Sequence, residues 1–407
     1  MKKSNGYVGT RWGASVMIAA MLVMVPALLM AAETVRIGAA ISLTGKAARE
    51  GSFVRKGYDT WVEWVNARGG INVGGKPYKV EMIYYDDKGE ATTSAKLTEK
   101  LITEDKVNLI LGPYSSGITA ATSAIAEKYQ YVTIAPMGNG DFVYERGFKY
   151  IFSVLAPASW NLVSIVELAS RQTPKPKTFA LIVLDSAFTL PFFDGARKRS
   201  LELGQQEVYY GKFQMNTTDF SGILTQVKAK EPDLIYFGGF FADSVNFFRQ
   251  AKELNVNAKM FSSTGTSGNP DWIPTMKKDA NYVVGNLPWH EDMGYKDQYF
   301  SSKTFYDFWM KRHGEPPNTM VVPAFVSGML IQFAMEKAGS LDQTKIRDAL
   351  RSMDIETFAG KFKFDERGRN IAGQMGITQT QNEKDILIYP LRSGVKFLYP
   401  TPTWKDR

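Results

Sequence analysis

Short apolar runs in this chain repeatedly end in small or polar residues and give way to stretches whose apolar positions lie three and four apart. Val35 to Ile41 is such a run, and it closes in Ser42-Leu43-Thr44-Gly45. Val54, Tyr58, Trp61, Val62 and Val65 then recur at helical spacing and stop at Arg68-Gly69-Gly70, which predicts a strand, a turn and a helix with a glycine exit. Past the Gly74-Gly75 turn, Val80 to Tyr85 reads as another strand, and Ala95, Leu97, Leu101 and Ile102 mark the next helix. Leu109-Ile110-Leu111 supplies a further strand. Strands alternating with helices predict a parallel sheet with helices on its faces.

In such sheets ligands gather beyond the carboxyl ends of the strands. The turns at Leu43-Thr44, at Ser115-Ser116 and over Ala135 to Asp141 should therefore share one rim. After Gly112-Pro113-Tyr114, the residues Ile118, Ala121, Ile125 and Tyr129 carry a helical period, so Ser115 and Ser116 stand at a helix start. Free backbone N–H groups there, with two hydroxyls beside them, suit a carboxylate or phosphate. The same pair equally suits plain helix capping, and the local pattern leaves both readings open.

The second half repeats the scheme. Phe179 to Leu184 is a nearly continuous apolar strand, followed by Asp185-Ser186, a turn at Phe192-Phe193-Asp194-Gly195 and a helix; Glu207 to Phe213 and Leu234 to Phe237 add strands. Gln172 to Lys177, with two prolines, reads as a stiff surface loop. The roughly 375 residues after residue 32 exceed what one core serves, so two lobes are expected. Aromatics at 13% are enough for two cores and a lined cleft.

Composition narrows the chemistry. Residues 1–32 hold Lys2, Lys3 and Arg11, then an apolar run from Ala14 to Met30 and Ala31-Ala32, the order of a secretory signal peptide; a single membrane anchor is the competing reading. Export would leave the chain in the periplasm. Loss of those three cations lowers the net charge from +8 to +5, and no run of like charges suggests nucleic acid or a membrane surface. With no cysteine and only His290 and His313, no thiolate or histidine metal site is expected, and no cofactor. Gly69-Gly70, Gly74-Gly75 and Gly238-Gly239 lack the spacing of nucleotide-binding loops. Gly112-Pro113-Tyr114-Ser115-Ser116 is not a nucleophile elbow, and neither histidine falls over that turn, so no enzyme is expected.

The run VRIGAAISLTGKAAREGSFVRKGYDTWVEWVNARGGINVGGKPYKVEMIYYDDKGE, together with VNLILGPYSSGITAATSAIAEKYQYVTIAPMGNGD, PDLIYFGGFFADSVNFFRQAKELNVNAKMFSSTG and FAGKFKFDERGRN, resembles the Leu/Ile/Val-type periplasmic substrate-binding proteins of ABC transporters. The resemblance implies a type I periplasmic binding protein fold: α/β, two Rossmann-like lobes with parallel-sheet cores joined by a three-strand hinge. It places residues 33–155 and 288–358 in the N-terminal lobe and 156–287 and 359–407 in the C-terminal lobe, with crossings near Ser153 to Pro157, Gly285 to Trp289 and Phe358 to Lys361. The implied role is a monomeric receptor that closes on a small ligand and delivers it to the permease and ATPase subunits of an importer; a sensor feeding a signalling receptor is the alternative.

Carried over by resemblance, Ser116 holds the ligand carboxylate beside Ser115, and Met137-Gly138-Asn139 grips the ligand head, with Asn139 in place of the usual hydroxyl residue. Phe192 and Phe240 close over the ligand side chain, Thr264 and Gly265 face it, and Met320 belongs to the first-lobe wall. One departure stands out. The positions aligned with the family's ammonium-binding acids hold Ala158, beside Ser159, and Gly265, between Thr264 and Thr266. An ammonium buried without a partner is costly, since breaking such a pair takes roughly 3–5 kcal/mol. Either Asp185, Glu50 or Asp271 substitutes, or the ligand is an organic acid without an amine, perched among Phe192, Phe240, Trp160 and Trp289. An amino acid of the Leu/Ile/Val type is the first expectation and an aromatic or other organic acid the second.

Overall fold

The computed structural model describes residues 33–186, 189–390 and 394–407, together with 1–3, 6 and 9. The expected signal peptide over residues 1–32 lies mostly outside the described residues. Between Glu33 and Arg407 the described residues build two large sheets and a separate two-stranded hairpin.

In the first, β1 (Glu33–Ile41), β3 (Lys76–Asp86), β4 (Leu109–Leu111), β5 (Thr133–Ala135) and β6 (Ile151–Ser153) run parallel, and β2 (Ile71–Val73) folds back on β3 as a hairpin. The order is β2-β3-β1-β4-β5-β6. Chain order therefore reverses between β1 and β4, and a crevice opens above their carboxyl ends. Helices α1 (Ala48–Ala67), α2 (Ala91–Thr103) and α3 (Ser116–Tyr129) make the crossovers. Tyr58 and Trp61 of α1 are fully buried, and the Tyr58 hydroxyl donates to the Gly112 carbonyl at 2.7 Å, tying α1 to the end of β4.

The second sheet has the order β15-β14-β11-β10-β9-β7-β8. Its parallel part is β7 (Thr178–Leu184), β8 (Gln206–Phe213), β9 (Leu234–Gly238), β10 (Met260–Ser263) and β11 (Val283–Leu287). The strands β14 (Gly376–Gln381) and β15 (Lys384–Tyr389) extend it antiparallel. Here the reversal falls between β7 and β9. The central strands are buried on both faces, which is why β7 and β9 read as unbroken apolar runs rather than alternating ones.

Two sequence expectations are corrected. Phe192-Phe193-Asp194-Gly195 is not a turn ahead of a helix but lies inside the helix Thr189–Glu202; Gly195 is there because a Cβ would meet the Ser159 carbonyl at 1.8 Å. The third crossing also falls later than Phe358 to Lys361. The hairpin of β12 (Asp354–Thr357) and β13 (Gly360–Lys363) stays with the first core, where Phe362 is buried and the Phe364 ring meets Phe152 edge-on, 5.2 Å between centroids. The chain passes to the second sheet only between Phe364 and β14. The very apolar helix Val321–Ala338, long enough to cross a membrane by composition, is a core helix packed on α1, where Gly328 admits the Trp61 ring.

Candidate ligand site

The two crevices face each other across a cavity of about 140 Å³, closed at its inner end by the crossing segments through Leu155, Pro288 and Met375. A cavity of that order holds one small ring or a short branched chain. From the first lobe come Arg49 and Phe53 of α1, Tyr114 after β4, Met137 and Asn139 after β5, and Asn318 to Met320. From the second come Phe192, Gly239, Phe240, Thr264, Gly265 and the segment Ser267 to Pro270. Both reversals thus point into the same space.

Of the residues expected at the site, Met137, Asn139, Phe192, Phe240, Thr264, Gly265 and Met320 line the cavity; Ser115, Ser116 and Gly138 stand behind it. Ser115 caps α3, its Oγ accepting from the Ile118 N–H at 3.3 Å. Ser116 is buried, and its Oγ accepts from the Gly140 N–H at 3.0 Å. Gly138 lies where the loop presses on α3, since a Cβ would meet Thr119 Oγ1 at 2.2 Å. These three hold the Met137–Asn139 loop against the helix. Asn139 is fixed from the other side: its Nδ2 donates to the Ala156 carbonyl at 2.7 Å and its carbonyl accepts from the Ala158 N–H at 3.1 Å.

In the second lobe the Thr264 Oγ accepts from the Gly239 N–H at 3.1 Å and donates to the Gly239 carbonyl at 2.8 Å, locking two rim loops together. Gly265 has φ +74°, and a Cβ there would crowd the Gly239 carbonyl at 3.1 Å, so no other residue fits without strain. Asp243 holds the Phe240 N–H at 2.9 Å; burial raises its carboxyl pKa, and that hydrogen bond opposes the rise. Asp385 accepts from the Gly268 N–H at 2.9 Å and is likewise raised by burial.

Electrostatically the lining is one-sided. Arg49 is its single charged residue, and no Asp or Glu among the described residues joins it. Asp271 is at the mouth but pairs with Arg49. Asp185 pairs with Lys212 at 3.4 Å away from the cavity, and Glu50 does not line it. Burial raises the Tyr114 phenol, with Glu50 adding to the rise, so it stays a neutral donor. Trp160 and Trp289 do not form walls: Trp160 lines a separate surface cavity, and Trp289 is packed in the first core with its Nε1 donating to the Phe358 carbonyl at 3.1 Å.

Sequence reasoning missed Arg49, Tyr114, Asn161, Asn286 and Asn318. Arg49 and Tyr114 follow the strand ends already singled out as the rim, so their place was available from topology. The asparagines sit on crossing segments or before a helix, where Asn usually serves the backbone, as the Asn318 Oδ1 does by accepting from the Met320 N–H at 2.9 Å.

Two lobes that close a small cleft at facing switch points define a solute-binding protein. Residues 34–385 match the periplasmic binding protein family, and the chain belongs to it. It is 26% identical over 341 residues to the leucine-, isoleucine-, valine-, threonine- and alanine-binding protein of Pseudomonas aeruginosa, covering 83% of this chain and 88% of that one. The fold is shared with a leucine-binding protein LivK of Thermotoga maritima (TM-score 0.75, 21% identity, 87% of this chain and 97% of that one). It is shared as well with a solute-binding protein of an ABC transporter from R. palustris in complex with benzoate (TM-score 0.72, 15% identity, 87% and 95%). The chain is thus a periplasmic binding protein by family, and its similarity extends to relatives named for branched-chain amino acids and to one solved with an aromatic acid.

Proposed function

We propose that this protein, exported to the periplasm, captures a small organic carboxylate lacking an α-amino group and presents it to the permease of an ABC importer on lobe closure. The observation that carries the reading is the charge of the cavity wall, which among the described residues holds one cation and no carboxylate. The Arg49 guanidinium offers several donors in one plane, and Asp271 engages only its Nη2, so donors remain for an anionic group at the cleft mouth. An ammonium closed into the same cavity would have no carboxylate to meet it. Phe192, Phe240, Met137 and Met320 supply apolar walls for the rest of the ligand. That a fold neighbour was solved with benzoate is consistent with such a ligand.

The amino-acid reading rests on the names of the sequence relatives and requires Asp271 to leave Arg49. Titration calorimetry on matched pairs separates the two: 4-methylpentanoate against leucine and phenylpropanoate against phenylalanine. The des-amino acid is expected to bind at least as tightly in one pair. An amino acid ahead by tenfold, about 1.4 kcal/mol, would overturn the reading.

A further inference from the structure

Buried polar atoms without partners are few in folded proteins, and each costs about 1–3 kcal/mol. Among the described residues, only two that carry such side-chain atoms also line the ligand cavity: Asn139 and Asn161. Both are 1% exposed. The Asn139 amide is oriented by its Nδ2 bond to the Ala156 carbonyl, which leaves Oδ1 as a free acceptor. In Asn161 both Oδ1 and Nδ2 are free, so the conclusion does not depend on which way that amide is drawn. The backbone around them is satisfied: the Asn161 N–H donates to the Ala158 carbonyl at 3.1 Å, and its carbonyl accepts from Asn286 Nδ2 at 3.4 Å. The two asparagines flank the first crossing, deep in the cleft, whereas the Arg49 side chain is 44% exposed at the mouth.

We infer that Asn139 and Asn161 form a second polar subsite, which reads a neutral hydroxyl at the end of the ligand remote from its carboxylate. The inference rests on the carboxylate reading above and adds the chemistry of the other end. Complementarity requires a group that donates to an amide oxygen and accepts from Asn161 Nδ2. A hydroxyl does both. A carboxylate only accepts and would face two amide oxygens; an ammonium only donates and would leave Nδ2 unpaired beside a charge. A plain hydrocarbon end leaves all three atoms unsatisfied, so the subsite discriminates strongly against the deoxy compound.

Calorimetry with 4-hydroxybenzoate against benzoate, and 3-(4-hydroxyphenyl)propanoate against 3-phenylpropanoate, tests this on the full mature chain. In at least one pair the hydroxy acid should bind tenfold or more tightly than its deoxy partner, and Asn161→Leu should reduce that ratio below threefold. Because the leucine removes unpaired amide atoms, the unliganded variant should melt no lower than wild type. Deoxy acids binding within threefold of their partners in the wild-type protein remove this inference and leave the carboxylate reading standing. Binding by no acid of either pair removes both. A clear fall in the melting temperature of Asn161→Leu together with no hydroxyl preference in the wild-type protein would mean that the amide serves the fold, and would overturn the subsite. The wild-type comparison decides however the variant folds.

Discussion

Ser116 has the right neighbours for an anion contact and a different task. Its hydroxyl accepts from the Gly140 N–H, so it secures the loop carrying Asn139 rather than lining the cavity. Replacing it with alanine leaves a buried N–H unpaired, a cost of about 1–3 kcal/mol in stability. Ser116→Ala is therefore expected to lower the melting temperature, and to weaken binding less than Asn139→Ala, which truncates a side chain on the wall itself. Calorimetry and thermal unfolding on both variants check this; a larger affinity loss for Ser116→Ala would restore the serine to direct contact. The loop's place beside the cavity was legible in the sequence because strand ends are. Which side of a loop a hydroxyl faces depends on a packing partner 24 residues away, and no local pattern encodes that.

At the scale of elements, the parallel strands were legible because burial on both faces demands continuous apolar residues, as in Phe179 to Leu184. The pieces that escaped are short or late: β2, with three residues, and the antiparallel pair β14 and β15, whose Thr- and Gln-rich β14 carries little apolar signal. The turn after β1 is held by one carboxylate, Asp86 at the end of β3. Burial works against its charge, but hydrogen bonds from the Thr44 hydroxyl at 2.6 Å and the N–H groups of Lys88, Leu43 and Thr44 prevail and hold its pKa down to about 2. A carboxyl depressed from its ordinary value of about 3.9 stabilises the fold above that value and loses the contribution as pH falls through the folded one. Asp86→Asn is thus expected to be modestly less stable than wild type at pH 7, the gap closing between roughly pH 4 and pH 2. Denaturant midpoints measured across that range check it; a gap independent of pH would assign the effect to packing.

For the whole molecule the question is what holds the lobes together. Arg49 belongs to a helix of the first core, and Asp271 precedes Trp272 of the second, so their ion pair spans the cleft. Thr319 reaches across beside Gly268, where a Cβ would meet its methyl at 2.4 Å. An exposed pair of this kind contributes about 0–1 kcal/mol, too little to hold two lobes closed by itself. Closure must then draw on the ligand, whose apolar body brings Phe192 and Phe240 against Met137 and Met320 and is buried only when the lobes meet. A ligand shifts the equilibrium only by its differential affinity for the closed form, and a carboxylate seated between Arg49 and the second lobe supplies one. The unliganded protein is expected to show a larger radius of gyration in small-angle scattering than this structure predicts, and to contract to that value with saturating ligand. Asp271→Asn should leave the contracted radius unchanged, because the ion pair follows closure and does not drive it. A radius that stays the same with and without ligand would show instead that the lobes are held by their own contacts and that binding does not require them to move.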